Sequence, residues 1–215
     1  MGWLRAIALL TAVALCRELH AGSLNVTVKD AKGVPVPDAV VYATGAAARS
    51  APKKRTIIDQ RDKQFVPYVT AIQVGTSVLF PNSDNVRHHV YSFSPAKKFE
   101  LPLYAGVPAE AVVFDKEGFV TLGCNIHDWM VAYVAVLRTP YFQITGRDGR
   151  ALLNNLPPGQ LTVEVWQPSL KGAPEKYAQQ VDLSATGTKE LVFTLDLKPD
   201  FRAPRAPNLS TGGYR

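Results

Sequence analysis

Apolar residues recur along this chain with a period of two. In SLNVTVKD, Leu24, Val26 and Val28 alternate with polar neighbours, which is the pattern of a half-buried strand. A turn at AKGVP separates it from VPDAVVYATG, and the same texture returns in FVPYVTAIQV, TSVLFPN, HVYSF, AVVFD, FVTLGC and MVAYVAVL. Beyond residue 139 come FQIT, a turn at GRDGR, ALLNNLPPG, LTVEVWQP and ELVFTLDL. These runs are short, rich in β-branched residues and bounded by Gly, Pro, Asn and Asp, as strands are. No stretch carries a sustained 3.6-residue apolar stripe with helix caps. The expected fold is all-β and sandwich-like. Segments 46–55 (AAARSAPKKR) and 169–178 (SLKGAPEKYA) are expected to be loops. The Pro-, Arg- and Gly-rich tail 198–215 is expected to be disordered.

The first residues set the compartment. MGWLRAIALLTAVAL has one early charge, Arg5, then an apolar run from Ala6 to Leu15. That run is short of the roughly 20 residues a spanning helix needs and suits a secretory signal peptide over 1–21, cut after Ala21. Export to the periplasm or an equivalent space is expected, with no transmembrane segment. Cleavage removes Arg5, Arg17 and Glu18, so the net charge of +6 falls by one. The remaining basic charge is scattered, and no aromatic-interleaved basic stretch marks a nucleic-acid binder. A surplus of this kind suits steering toward an acidic partner.

Cleavage also removes Cys16 and His20. One cysteine then remains, Cys124, with three histidines, His88, His89 and His127, and one methionine besides Met1, Met130. A lone cysteine in an oxidising compartment has no internal disulfide partner. Cys124, His127 and Met130 fall in GCNIHDWM at spacing C-x2-H-x2-M, on a tight loop between two expected strands. Thiolate, imidazole and thioether together suit copper better than calcium or magnesium. A trigonal copper site needs a second imidazole, which FPNSDNVRHHVYSF offers as His88 or His89. Strand neighbours point to opposite faces, so only one of that pair faces an ion.

These two motifs resemble those of the cupredoxins, the plastocyanin, azurin and amicyanin group of blue copper proteins. Asn82, five residues, His88 and Val90 resemble the group's N-x5-H-N-V pattern, with His89 where asparagine is usual. Cys124, His127 and Met130 resemble its shortest, amicyanin-type ligand loop. The flanks VGTSVLFPN and FDKEGFVTLGC agree with it, and chains of this layout are often labelled methylamine utilisation proteins. The resemblance implies a Greek-key β-sandwich over 55–138. It implies one type 1 copper, with His88, Cys124 and His127 as equatorial ligands and Met130 as the weak axial one. Asn82 and His89 would act behind the ligands, Asn82 tying the ligand loop. Because His89 departs from the pattern, His89 stays open as the alternative first ligand.

A second resemblance covers the flanks. Residues 22–45 are similar to the opening hairpin of carboxypeptidase-regulatory-like and transthyretin-like sandwiches, and 139–168 to the second half of that module. The expected layout is therefore a second small sandwich formed from 22–54 and 139–197, with 55–138 inserted. Three consecutive β units are the alternative. Trp166 is expected in the core of that second sandwich.

With Met130 filling the fourth position, no place is open for a substrate. No Walker loop, H-E-x-x-H or Ser-His-Asp array is present. The implied function is that of a one-electron carrier between redox proteins, not an enzyme. Trp129 is a candidate for packing or for a partner-docking surface beside His127. The rival readings are a copper carrier or chaperone, and a non-catalytic binding module with a vestigial copper site.

Overall fold

The computed structural model describes residues 22–45, 55–108, 110–184 and 187–199. The expected signal peptide, residues 46–54 of the expected 46–55 loop and the tail from residue 200 lie outside the described residues. Regular structure among the described residues is strand, apart from one short 3-10 turn at Pro174–Tyr177. That turn lies inside the expected 169–178 loop.

Two buried cores organise the chain. The first is enclosed by two sheets. One has the order β14 (Arg150–Leu156), β1 (Gly22–Asp30), β17 (Thr188–Leu195). The other runs β13 (Phe142–Ile144), β2 (Val40–Thr44), β15 (Gly159–Trp166), β16 (Gln179–Leu183). The alternation visible in the sequence is realised here. Leu24, Val26 and Val28 of β1 and Leu161, Val163 and Val165 of β15 are buried in one cluster. Each such side chain contributes about 1.5–3 kcal/mol on burial.

The second core lies between residues 58 and 136. A five-stranded sheet has the order β6 (Val69–Gln73), β12 (Val131–Leu137), β11 (Gly118–Gly123), β8 (His88–Ser94), β9 (Lys97–Tyr104). A three-stranded sheet runs β10 (Val112–Phe114), β7 (Thr76–Leu79), β3 (Arg55–Ile57), and β4 (Asp59–Arg61) pairs with β5 (Gln64–Val66) as a hairpin. Among the described residues, β1 and β2 pair only with strands from residue 142 onward, and none of β3–β12 joins their sheets.

The cores meet across the outer face of β12. Val40 and Tyr42 pack on Val69, Ala135 and Leu137. Trp166 stacks on Phe119, with ring centroids 4.4 Å apart and planes 6° from parallel. Trp166 is therefore at the junction of the two cores rather than inside the second sandwich, because its odd-numbered β15 neighbours Leu161, Val163 and Val165 take the opposite face. This also explains the burial of β12 on both sides, with Ala132, Val134 and Val136 facing one core and Ala135 and Leu137 the other cluster.

The strands depart from the sequence reading at several points. FVPYVTAIQV is two strands, broken at Pro67, which has no N–H to give a ladder. β3, β4, β9 and β16 do not appear in the apolar pattern, and Arg55, expected to end the 46–55 loop, opens β3. β9 and β16 are sheet edges carrying charged or amide side chains on the open face, which guards an edge against pairing with other chains. Lys198, where the tail is expected to begin, still donates its N–H to Ser169 O at 2.7 Å.

Candidate metal centre

β11 and β12 pair with Gly123 opposite Val131. That register closes the 124–130 loop and holds Cys124 and Met130 side by side at its base. Inside the loop, Met130 N–H donates to His127 O at 2.9 Å. Cys124 and Met130 are both buried, at 4% and 1% exposure, in the same core as Phe80, Val90 and Phe114.

β8 brings the second imidazole. Val90 and Ser92 are buried while Phe93 is 76% exposed, so even positions face the core and odd ones the outer face. His88 takes the inner side. One ligand atom each from His88, Cys124 and His127 lie within 4.8 Å of one another. Cys124 Sγ is 3.9 Å from His127 Nδ1, and the His88 and His127 ring centroids are 4.9 Å apart. His89 is elsewhere: its ring lies 5.5 Å from Tyr91. Its Nε2 is 3.0 Å from Glu100 Oε1 but is not aligned for a hydrogen bond.

The two nitrogens of His88 have different fates. Nε2 is 2.7 Å from Asp84 Oδ2, while Nδ1 is buried without a partner. A carboxylate on one imidazole nitrogen fixes the tautomer and leaves the other nitrogen's lone pair for a metal. A buried unpaired polar atom costs about 1–3 kcal/mol, and a bound cation removes that cost. The donor set fits copper: two imidazoles, a thiolate and a thioether, with no second cysteine among the described residues.

Electrostatics favour ligation as well. Burial holds His127 below its ordinary pKa, helped by His88 and the Lys63 charge, and opposed by Asp84. A neutral imidazole is the form that binds metal. Burial would raise the Asp84 carboxyl. Hydrogen bonds from Lys63 N–H, His88 and Asp62 N–H outweigh it and hold Asp84 below the usual carboxylate range.

Asn82 is buried, and its Nδ2 donates to Val86 O at 2.9 Å and Tyr104 O at 2.8 Å. Its Oδ1 accepts from Asp84 N–H at 3.0 Å. These bonds shape the segment leading into His88, and none of them reaches the 124–130 loop that Asn82 is expected to tie. Trp129 is partly buried, its ring 5.2 Å from that of His127, and its Nε1–H donates to Lys63 O at 3.2 Å. Asp84 is the residue that sequence reasoning missed. Its signal, a carboxylate four residues before a candidate ligand histidine, is too common in polar loops to stand out.

No protein-family model matches the chain. No curated protein matches it either. Solved structures similar to it include a copper-containing nitrite reductase from Thermus scotoductus, 23% identical with a TM-score of 0.37. The match covers 44% of this chain, and the chain spans only 25% of that protein's length. A purple cupredoxin from Nitrosopumilus maritimus is 28% identical over 39% of this chain and 98% of its own, with a TM-score of 0.34. A reduced Cu(I) form of an amicyanin variant is 22% identical over 45% of this chain and 99% of its own, with a TM-score of 0.35.

Proposed function

We propose that this protein is an exported blue copper protein that passes single electrons between redox partners. The observation that carries this reading is His88 Nδ1, buried and unpartnered in a group with Cys124 and His127. His88, Cys124, His127 and Met130 would hold one copper ion. Bound copper supplies a one-electron Cu(II)/Cu(I) couple.

The chain's own residues supply the rest. Burial of Cys124 and Met130 keeps water from the thiolate side. Asp84 holds the His88 ring, and strand pairing at Gly123 and Val131 fixes the loop base, so the donors need not move between oxidation states. His127 is the more exposed ligand, and its neighbour Ile126 is 49% exposed, which makes this end the place for a partner to meet the site. Small, transient interfaces suit redox encounters. The proposal takes 55–138 as the copper domain, inserted into a second sandwich of 22–54 and 139–197, and residues 1–21 as a cleaved leader. No helix among the described residues is long and apolar enough to cross a membrane.

Separate substitution of the paired histidines tests the ligand assignment. Losing a group behind a ligand typically costs 10–100-fold in metal affinity, so His88→Ala, which removes a ligand, should cost more than about 100-fold. His89→Ala should stay within about tenfold of the parent. Competitive copper titration reads both, and the reverse ranking would move the ligand to His89. As a test of the thioether, Met130→Leu should keep copper bound and raise the reduction potential, because losing a donor destabilises Cu(II) relative to Cu(I). Voltammetry checks this; a lowered potential would exclude Met130 as that donor.

A further inference from the structure

Asp62 and Lys63 form the two-residue turn of the β4–β5 hairpin, with Arg61 opposite Gln64. Both have positive φ, 51° and 56°. Two-residue hairpins with positive φ at both central positions are type I′ turns, which favour Asn-Gly or Asp-Gly. A lysine in the second position is strained, and such strain persists only where the surroundings over-determine the backbone.

The surroundings here are the partners of both candidate ligand histidines. Asp62 N–H donates to Asp84 Oδ1 at 2.7 Å, and Lys63 N–H donates to Asp84 Oδ2 at 2.9 Å. That same Oδ2 is 2.7 Å from His88 Nε2. On the other side, Lys63 O accepts from Trp129 Nε1–H, and the Trp129 ring packs against His127. The hairpin is laced to the 81–84 segment as well, through Gln60 N–H to Pro81 O and Ser83 N–H to Gln60 O, each at 3.0 Å. One turn thus touches the support of His88 and the support of His127, Asp84 and Trp129, which are far apart along the chain.

We propose that the Asp62–Lys63 turn is a positioning brace that couples the two imidazoles through Asp84 and Trp129 and fixes their spacing. Its backbone N–H groups and carbonyl do the work, so the strained φ values are what aim one edge of the turn at Asp84 and the other at Trp129. The consequence for copper rests on the proposed function: the brace would set how far the two histidines can move apart, and so the copper spectrum and potential.

The test begins with metal-free protein, so that it does not depend on copper. Hydrogen exchange reports local opening. In Asp84→Ala, exchange of the Trp129 indole N–H is expected to rise by about tenfold or more, although residue 84 makes no bond to Trp129. Reciprocally, Trp129→Phe should raise exchange of the Asp62 and Lys63 amides by a similar factor while keeping a ring on His127. The reciprocal variant decides the matter if Asp84→Ala does not fold. Changes confined to each variant's own bond, with less than about twofold effect across the turn, would overturn the brace. In Cu(II)-loaded protein, both variants should alter the copper hyperfine splitting, and the double variant should be no worse than the more severe single. Effects that simply add would overturn the coupling. If the parent shows no thiolate–copper band, the copper reading fails, and the exchange experiment still decides the brace.

Discussion

Cys124→Ser is expected to remove the intense visible absorption of the Cu(II)-loaded protein while leaving the fold intact. In a blue copper site the colour comes from the thiolate–copper bond, and a serine hydroxyl is a harder, weaker donor that stays protonated near neutral pH. The fold should survive because Cys124 contributes little packing volume, with Val90, Leu122 and Ala132 making up more of that core. A buried hydroxyl without a partner costs about 1–3 kcal/mol, within the margin of a typical domain. Far-UV circular dichroism should be unchanged while the visible band is lost. Retention of an intense band near its original position would show that Cys124 is not a ligand.

The second large effect is on stability. Gly149 has φ +70° in the turn before β14. A Cβ there would lie 2.4 Å from Val28 O and 3.0 Å from Val36 N. Both are backbone atoms already committed: Val36 N–H donates to Val28 O, and Val28 N–H donates to Gly149 O. No flexible side chain can yield. Gly149→Ala adds the penalty of a left-handed L-residue, about 1–2 kcal/mol, to that clash, for a total of about 2–4 kcal/mol. At about 2–4 °C per kcal/mol for a chain of this size, the melting temperature should fall by about 5–15 °C. At low temperature the copper spectrum should be unaltered, because residue 149 lies with the first core and the ligands with the second. Calorimetry and absorption on one sample check both parts; a loss below about 0.5 kcal/mol would mean the turn relaxes around the methyl group.

Much of the strand pattern was legible because inward positions of β1, β11, β12 and β15 are aliphatic and their neighbours are not. β9 and β16 were hidden for the opposite reason, since KKFELPLY and QQVDL mix charge, amide and proline, and β3 and β4 are three-residue strands too short to show a period. Cys124, His127 and Met130 stood out through scarcity and spacing. The pair His88 and His89 was legible only down to a choice, since alternation puts them on opposite faces but does not say which face is the core. Val90, buried with the same parity as His88, puts His88 on the core face. The brace left almost no trace. RDKQ lacks the glycine that announces a type I′ turn, and its role depends on Asp84 and Trp129, which are brought to it by tertiary structure. Trp166 was read as the core of one sandwich because WQP ends an alternating strand; its partner Phe119, forty-seven residues earlier, is visible only in the fold.

The most direct measurement is the visible and EPR spectrum of the protein lacking residues 1–21 after one equivalent of Cu(II). A blue copper centre on His88, Cys124, His127 and Met130 gives an intense band toward the red with narrow copper hyperfine splitting, saturating at one copper per chain. Copper that stays bound without that band would point to carriage rather than electron transfer. Protein that binds no copper at all would contradict the metal centre itself and leave a β-sandwich binding module.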